Sequence, residues 1–182
     1  MTLLDRLKQL YRGSKSEPAV LVFKRHPLDG TTDEAAYRAA LTAVLDGESA
    51  GAVAALKGVF GHLPDKAKAL SIMVHPSQDP DGLFSVLVHL DGPDLHVLNK
   101  AIDAHRTLVE TRITPHGTVP LLPLFDPSQT AFSVNDAIVD VAADWLETVW
   151  QDAGEASVSL PAAIYGEDGY GPSTPRSLNG SG

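Results

Sequence analysis

The sequence contains no cysteine. Disulfides, thiolate metal sites and cysteine nucleophiles are therefore excluded. Between Arg112 and Arg176 it also contains no lysine or arginine. Nine carboxylates fall in that stretch: Asp126, Asp136, Asp140, Asp144, Glu147, Asp152, Glu155, Glu167 and Asp168. A surface built from it repels phosphate and attracts cations or basic proteins, so nucleic acid is not an expected partner. No apolar run approaches the roughly 20 residues of a membrane helix, so no transmembrane segment is expected. The first dozen residues are charged throughout and hold no apolar signal core, which makes the cytoplasm the expected location.

Catalytic and cofactor fingerprints are missing as well. The chain has no GxSxG and no HExxH. Gly166-Glu167-Asp168-Gly169-Tyr170-Gly171 is glycine-rich, but its adjacent acids would repel a phosphate and it precedes a tail instead of a helix. Asp79-Pro80-Asp81-Gly82 lacks the alternating acids and distant glutamate of a calcium loop and reads as a turn. His75 and His89 fall on two strands of one hairpin. With a loop over 76–82 they should lie roughly 20 Å apart. His96 and His105 are read as opposite faces of one helix. No metal and no cofactor is expected.

What is present suits one folded domain. The 182 residues include a 43% hydrophobic share, enough for a core, and the net charge of −9 is within globular range. Residues 1–30 stand apart, with six bases against three acids. Leu3, Leu4, Leu7, Leu10 and Tyr11 recur at helical spacing, a glycine-serine-proline linker follows, and Ala19 to Phe23 is long enough for an edge strand. Residues 31–165 form the α+β domain. Residues 166–182 read as a glycine-, proline- and serine-rich tail, mobile after Pro175.

Within the domain, Thr31 and Glu34 have capping-box spacing for a helix that ends at Asp46-Gly47, and Ser49 caps a second helix. Strand-like segments at 69–75 and 83–90 flank a polar loop and form a hairpin. Pro93 and Asp94 open a helix whose Leu95, Leu98 and Ile102 face the core. A third strand is expected at 108–114 and a last one at 157–164. Ser133 caps the longest helix, about 134–152, and Gly154 stops it. The expected fold is a small, mainly antiparallel sheet with helices 33–46, 49–60, 93–106 and 134–152 covering mostly one face.

The long helix carries the candidate site. At 100° per residue, Val134, Ile138, Val141, Trp145 and Val149 centre on one side, and Asp136, Asp140, Asp144 and Glu147 on the other. Trp150 falls between the two stripes, where it is expected to be partly exposed. Acids at i, i+4, i+8 repel mildly, and no base on the helix relieves them. Relief comes either from bases elsewhere in the fold or from a basic partner protein docked on Asp136, Asp140, Asp144, Glu147 and Trp150.

The chain also resembles a family of small uncharacterised bacterial proteins. The resemblance rests on Leu90-Asp91-Gly92-Pro93-Asp94, Leu98 to Ile102, Val119 to Pro123, the Trp145 to Trp150 helix, Leu160-Pro161 and Asp168-Gly169-Tyr170-Gly171. It spans about 33–178 and implies no catalytic residue. The functional expectation is a non-catalytic binding protein of immunity or inhibitor type, monomeric or a small homo-oligomer. Two alternatives stay open: a self-associating structural or adaptor protein that uses its apolar loop and Trp150, and an enzyme with an unrecognised site in the proline-rich loop.

Overall fold

A computed structural model describes residues 33–79, 81–154 and 158–179. The expected N-terminal helix, the 19–23 strand and Thr31 lie outside the described residues. Helix α1 spans Glu34–Gly61. Strands β1 (Ala69–Pro76) and β2 (Phe84–Asp91) follow, then helix α2 (Leu95–Ala101) and strand β3 (Thr107–Glu110). A separate ribbon pairs β4 (Arg112–Thr114) with β5 (Gly117–Val119). Helix α3 (Val134–Ala153), β6 (Ala162–Gly166) and β7 (Arg176–Ser177) complete the chain. The main sheet has the order β3-β2-β1-β6-β7 and is antiparallel except where β1 meets β6. The protein is α+β, as expected.

The strands form because their residues alternate. Leu70, Ile72 and Val74 of β1 and Val86, Val88 and Leu90 of β2 all point to one buried face. Helices α1 and α3 lie on that face and pack along each other. The opposite face carries Ser71, Met73, His75, Ser85, Leu87, His89, Ala163 and Tyr165, which are half-buried apart from the exposed Tyr165.

The helix expected to break at Asp46-Gly47 does not break. Tyr37, Leu41, Leu45, Ala52, Leu56 and Val59 form one unbroken buried stripe. Ser49 lies on that stripe and caps nothing. Its hydroxyl donates to the Leu45 carbonyl and accepts from Trp145 Nε1 at 2.8 Å. Packing against α3 outweighs the roughly 1 kcal/mol that an interior glycine costs. At 28 residues α1 is long and apolar enough to cross a bilayer, but its stripe is taken up by the core. Its N-cap is Asp33, which accepts from Ala35 N.

Three other boundaries differ. Helix α2 starts after Asp94, whose carboxylate caps Val97 N, and ends at Ala101, well short of 106. Leu98 and Ile102 are buried as expected, but Leu95 is exposed. The Arg106 carbonyl accepts from Val88 N and draws the chain out of the helix into the sheet. The expected strand at 108–114 is split at Thr111. Its N–H still donates to Phe84 O at 3.0 Å, but its hydroxyl accepts from Phe84 N and donates to Phe84 O, both at 2.7 Å, so a side chain replaces the backbone acceptor and the ladder ends there. The strand expected at 157–164 lies at Ala162–Gly166, and it is followed by β7. Residues read as a tail are held against the body, with β7 paired to β6 and Leu178 buried.

Candidate functional site

Ser133 caps α3 through Asp136 N, and Gly154 ends it in the left-handed region, so the acidic stripe sits on the helix that composition indicates. The stripe meets a segment of its own chain. Asp136 accepts from Gly171 N at 2.8 Å. Asp140 accepts from Ser173 N at 3.2 Å and Ser173 Oγ at 2.5 Å on one oxygen, and from Arg38 Nη2 at 3.4 Å on the other. Arg176 Nη1 bridges Asp144 at 2.6 Å and Glu147 at 3.2 Å. Residues 171–176 thus form a strap across α3. Gly171 makes this possible: at φ +79° it lies so close that a Cβ would sit 2.3 Å from Val139 Cγ1.

The relief of like charge therefore comes from within the fold. For both Arg38 and Arg176, burial alone would lower the guanidinium pKa. Hydrogen bonds and charge from Glu34 and Asp140, and from Asp144 and Glu147, outweigh it and hold each above its ordinary value. Asp140 is only 14% exposed, whereas Asp144 is 72% and Glu147 45% exposed. Solvent-facing charge is concentrated on the C-terminal half of the helix, where Asp152 is also exposed.

Trp150 corrects an expectation. It is fully buried, with its ring edge-on to Phe60 at 5.0 Å, and Nε1 has no hydrogen-bond partner among the described residues. It is not an exposed aromatic at the border of the stripe. Helix α3 is enclosed on more than its apolar stripe, because Ala137, Val139, Ala143, Leu146 and Trp150 are buried too. A helical wheel gives direction but not the number of neighbours.

A second cluster lies on the other face of the sheet. The ladder pairs Pro76 with Phe84, so His75 faces Ser85 and His89 faces Ser71. Their rings lie 5.8 Å apart, far closer than a straight count along the strand implies. The two histidines share a face, and only the Met73–Leu87 pair separates them along it. His75 Nδ1 lies 3.1 Å from Glu167 Oε2. Arg106 Nη2 lies 2.9 Å from His89 Nδ1. Burial, then the charge of Arg106, then that of His75, lower the His89 pKa. His75 Nε2 and Arg106 Nε are closed from solvent and lack partners among the described residues. His105 does not lie on a helix. It stacks on His62 at 5.0 Å, over the bare backbone of Gly58. Among the described residues no three histidine, aspartate or glutamate side chains are grouped to hold a metal ion.

The Leu-Asp-Gly-Pro-Asp and Asp-Gly-Tyr-Gly segments thus have structural roles, the first leading from β2 to the cap of α2, the second turning β6 into the strap. Residues 32–180 match a family of unknown function, DUF6389. The chain belongs to that family. The match covers the whole span of the resemblance described above and leaves the basic N-terminal segment outside. No curated protein and no solved structure shows significant similarity to the chain.

Proposed function

We propose that this DUF6389 protein is a non-catalytic binding protein of immunity or inhibitor type, which docks a basic protein in the cytoplasm. The observation that carries the reading is the base-free stretch between Arg112 and Arg176 with its nine carboxylates. Its exposed part is Asp144 and Glu147 on the acidic side of α3, together with Asp152 in the last turn of the helix. Asp136 and Asp140 serve that surface indirectly by holding the strap, and Trp150 serves it only as core. Complementary charge raises the association rate and rejects wrong partners, which suits an inhibitor that must find one basic target.

Reversal of Asp144 and Asp152 to lysine tests the reading. Both are exposed, so the double variant should melt within a few degrees of the wild type. It should lose a basic partner that the wild type captures from its native lysate and that mass spectrometry identifies. The wild-type complex should weaken as salt rises. Retention of the partner by the folded double variant, or capture indifferent to salt, would sink the proposal.

A further inference from the structure

A cavity of about 250 Å³ opens where the β1–β2 loop meets the N-terminal end of α3. Phe125, Phe132 and Tyr170 line it together with Asp79, Gly82 and Asn135. Tyr37 stands behind this wall, its ring 5.8 Å from that of Phe125 and 5.6 Å from that of Phe132. Only 1% of Tyr37 is exposed. Burial raises its phenol pKa, and its hydroxyl has no hydrogen-bond partner among the described residues. A buried hydroxyl without a partner is costly and calls for an explanation. A Cβ at the lining residue Gly82 would lie 3.6 Å from the Tyr37 oxygen and 2.9 Å from the Phe125 ring. The absence of a side chain there leaves room beside the hydroxyl.

The chemistry of the lining selects the ligand. The Asp79 carboxylate has no hydrogen bond and no ion pair among the described residues. Asn135 Nδ2 donates to Ser77 O at 3.5 Å, which leaves Oδ1 without a donor among them. With the Tyr37 hydroxyl these are convergent acceptors beside three aromatic rings. A primary ammonium brings three donors and no acceptor, and aromatic faces attract it. The N-terminus of α3, with about half a positive charge, would by itself favour an anion. Asp136 in its first turn carries a full opposite charge, and no lining residue is lysine, arginine or histidine. The volume is below the roughly 300–1,000 Å³ of a drug-sized site, so it suits one small head group. We propose that this cavity binds a primary ammonium group, with Asp79 as counter-ion, Asn135 Oδ1 and the Tyr37 hydroxyl as acceptors, and Phe125, Phe132 and Tyr170 as walls. It lies at the opposite end of α3 from Asp144, Glu147 and Asp152 and is independent of the acidic docking surface.

Titration with n-butylammonium chloride, followed through the amide chemical shifts of Asp79, Gly82 and Asn135, tests it. n-Butanol and butyrate are the neutral and anionic controls, with ionic strength held constant. Butylammonium should give saturable shifts, and each control should bind at least about tenfold more weakly, as loss of a charged hydrogen bond implies. Asp79 is exposed, so Asp79→Asn should fold normally. It should bind butylammonium about tenfold more weakly. Tyr37→Phe keeps the ring and removes the unpaired hydroxyl. It should also weaken binding, without lowering the melting temperature, whereas a tyrosine that only fills the core would leave affinity unchanged. A capped lysine peptide separates the sources of the group: tighter binding than butylammonium assigns it to a protein side chain, otherwise to a free small amine. Absence of saturable shifts in the wild type, butanol binding as well as butylammonium, or unchanged affinity in either folded variant overturns the proposal.

Discussion

His89 keeps its hydrogen bond from Arg106 only while its ring is neutral, because a protonated imidazole has no acceptor nitrogen. Its folded pKa lies below the ordinary 6.5, through burial first and then the charges of Arg106 and His75. A lowered folded pKa means that the unfolded chain binds the proton more readily. The contribution is complete above 6.5 and is lost as the pH falls from there toward the folded value. His89→Gln retains an acceptor and cannot be protonated. Urea denaturation over a pH series should show a flatter loss toward acid in this variant than in the wild type. Identical slopes would mean that another group carries the acid sensitivity. This pairing was hidden in the sequence, since it depends on a strand register and on an arginine beyond the next helix. Trp150 was hidden for a related reason: its wheel angle was legible, but the neighbour Phe60 comes from another helix.

At the scale of elements, composition located most of the structure and misjudged its breaks. The β1–β2 hairpin, the cap at Ser133 and the stop at Gly154 were legible because each rests on local chemistry. Asp46-Gly47 has the local chemistry of a helix stop, yet the buried stripe runs through it. The glycines of α1 therefore differ in meaning. A Cβ at Gly47 would touch nothing within 4 Å. Gly47→Ala should raise stability by about 0.5–1 kcal/mol. At Gly58 a Cβ would lie 2.5 Å from the His105 ring. Gly58→Ala should instead lower stability, by about 1–3 kcal/mol for overpacking less the helix gain. In a His105→Ala background it should become neutral or stabilising. Denaturation midpoints of the four variants check this, and a Gly58→Ala loss that persists without His105 would contradict it.

For the molecule as a whole, the strap over α3 ties the chain end to the middle of the core. Arg38 and Arg176 reach the acidic stripe from segments 102 and 32 positions away. Asp140 is the deeper member and accepts from three donors of two segments. Asp140→Ala should cost about 2–3 kcal/mol, as lost hydrogen bonds to a charged group do. Asp144→Ala should cost less than about 1 kcal/mol, because its bond to Arg176 faces water. Urea denaturation gives the order, and equal losses would show that the strap depends on charge alone.

The amino-acid sequence by itself determined the α+β class, the long acidic helix, the hairpin and the uneven charge, because each follows from periodicity, turn chemistry or composition along a short stretch. Only the tertiary structure decided what the acidic stripe faces, where Trp150 lies, how His75 and His89 meet and which apolar side chains stay outside. Those outcomes depend on which elements become neighbours, and segments of one chain far apart in number meet only when the whole core closes.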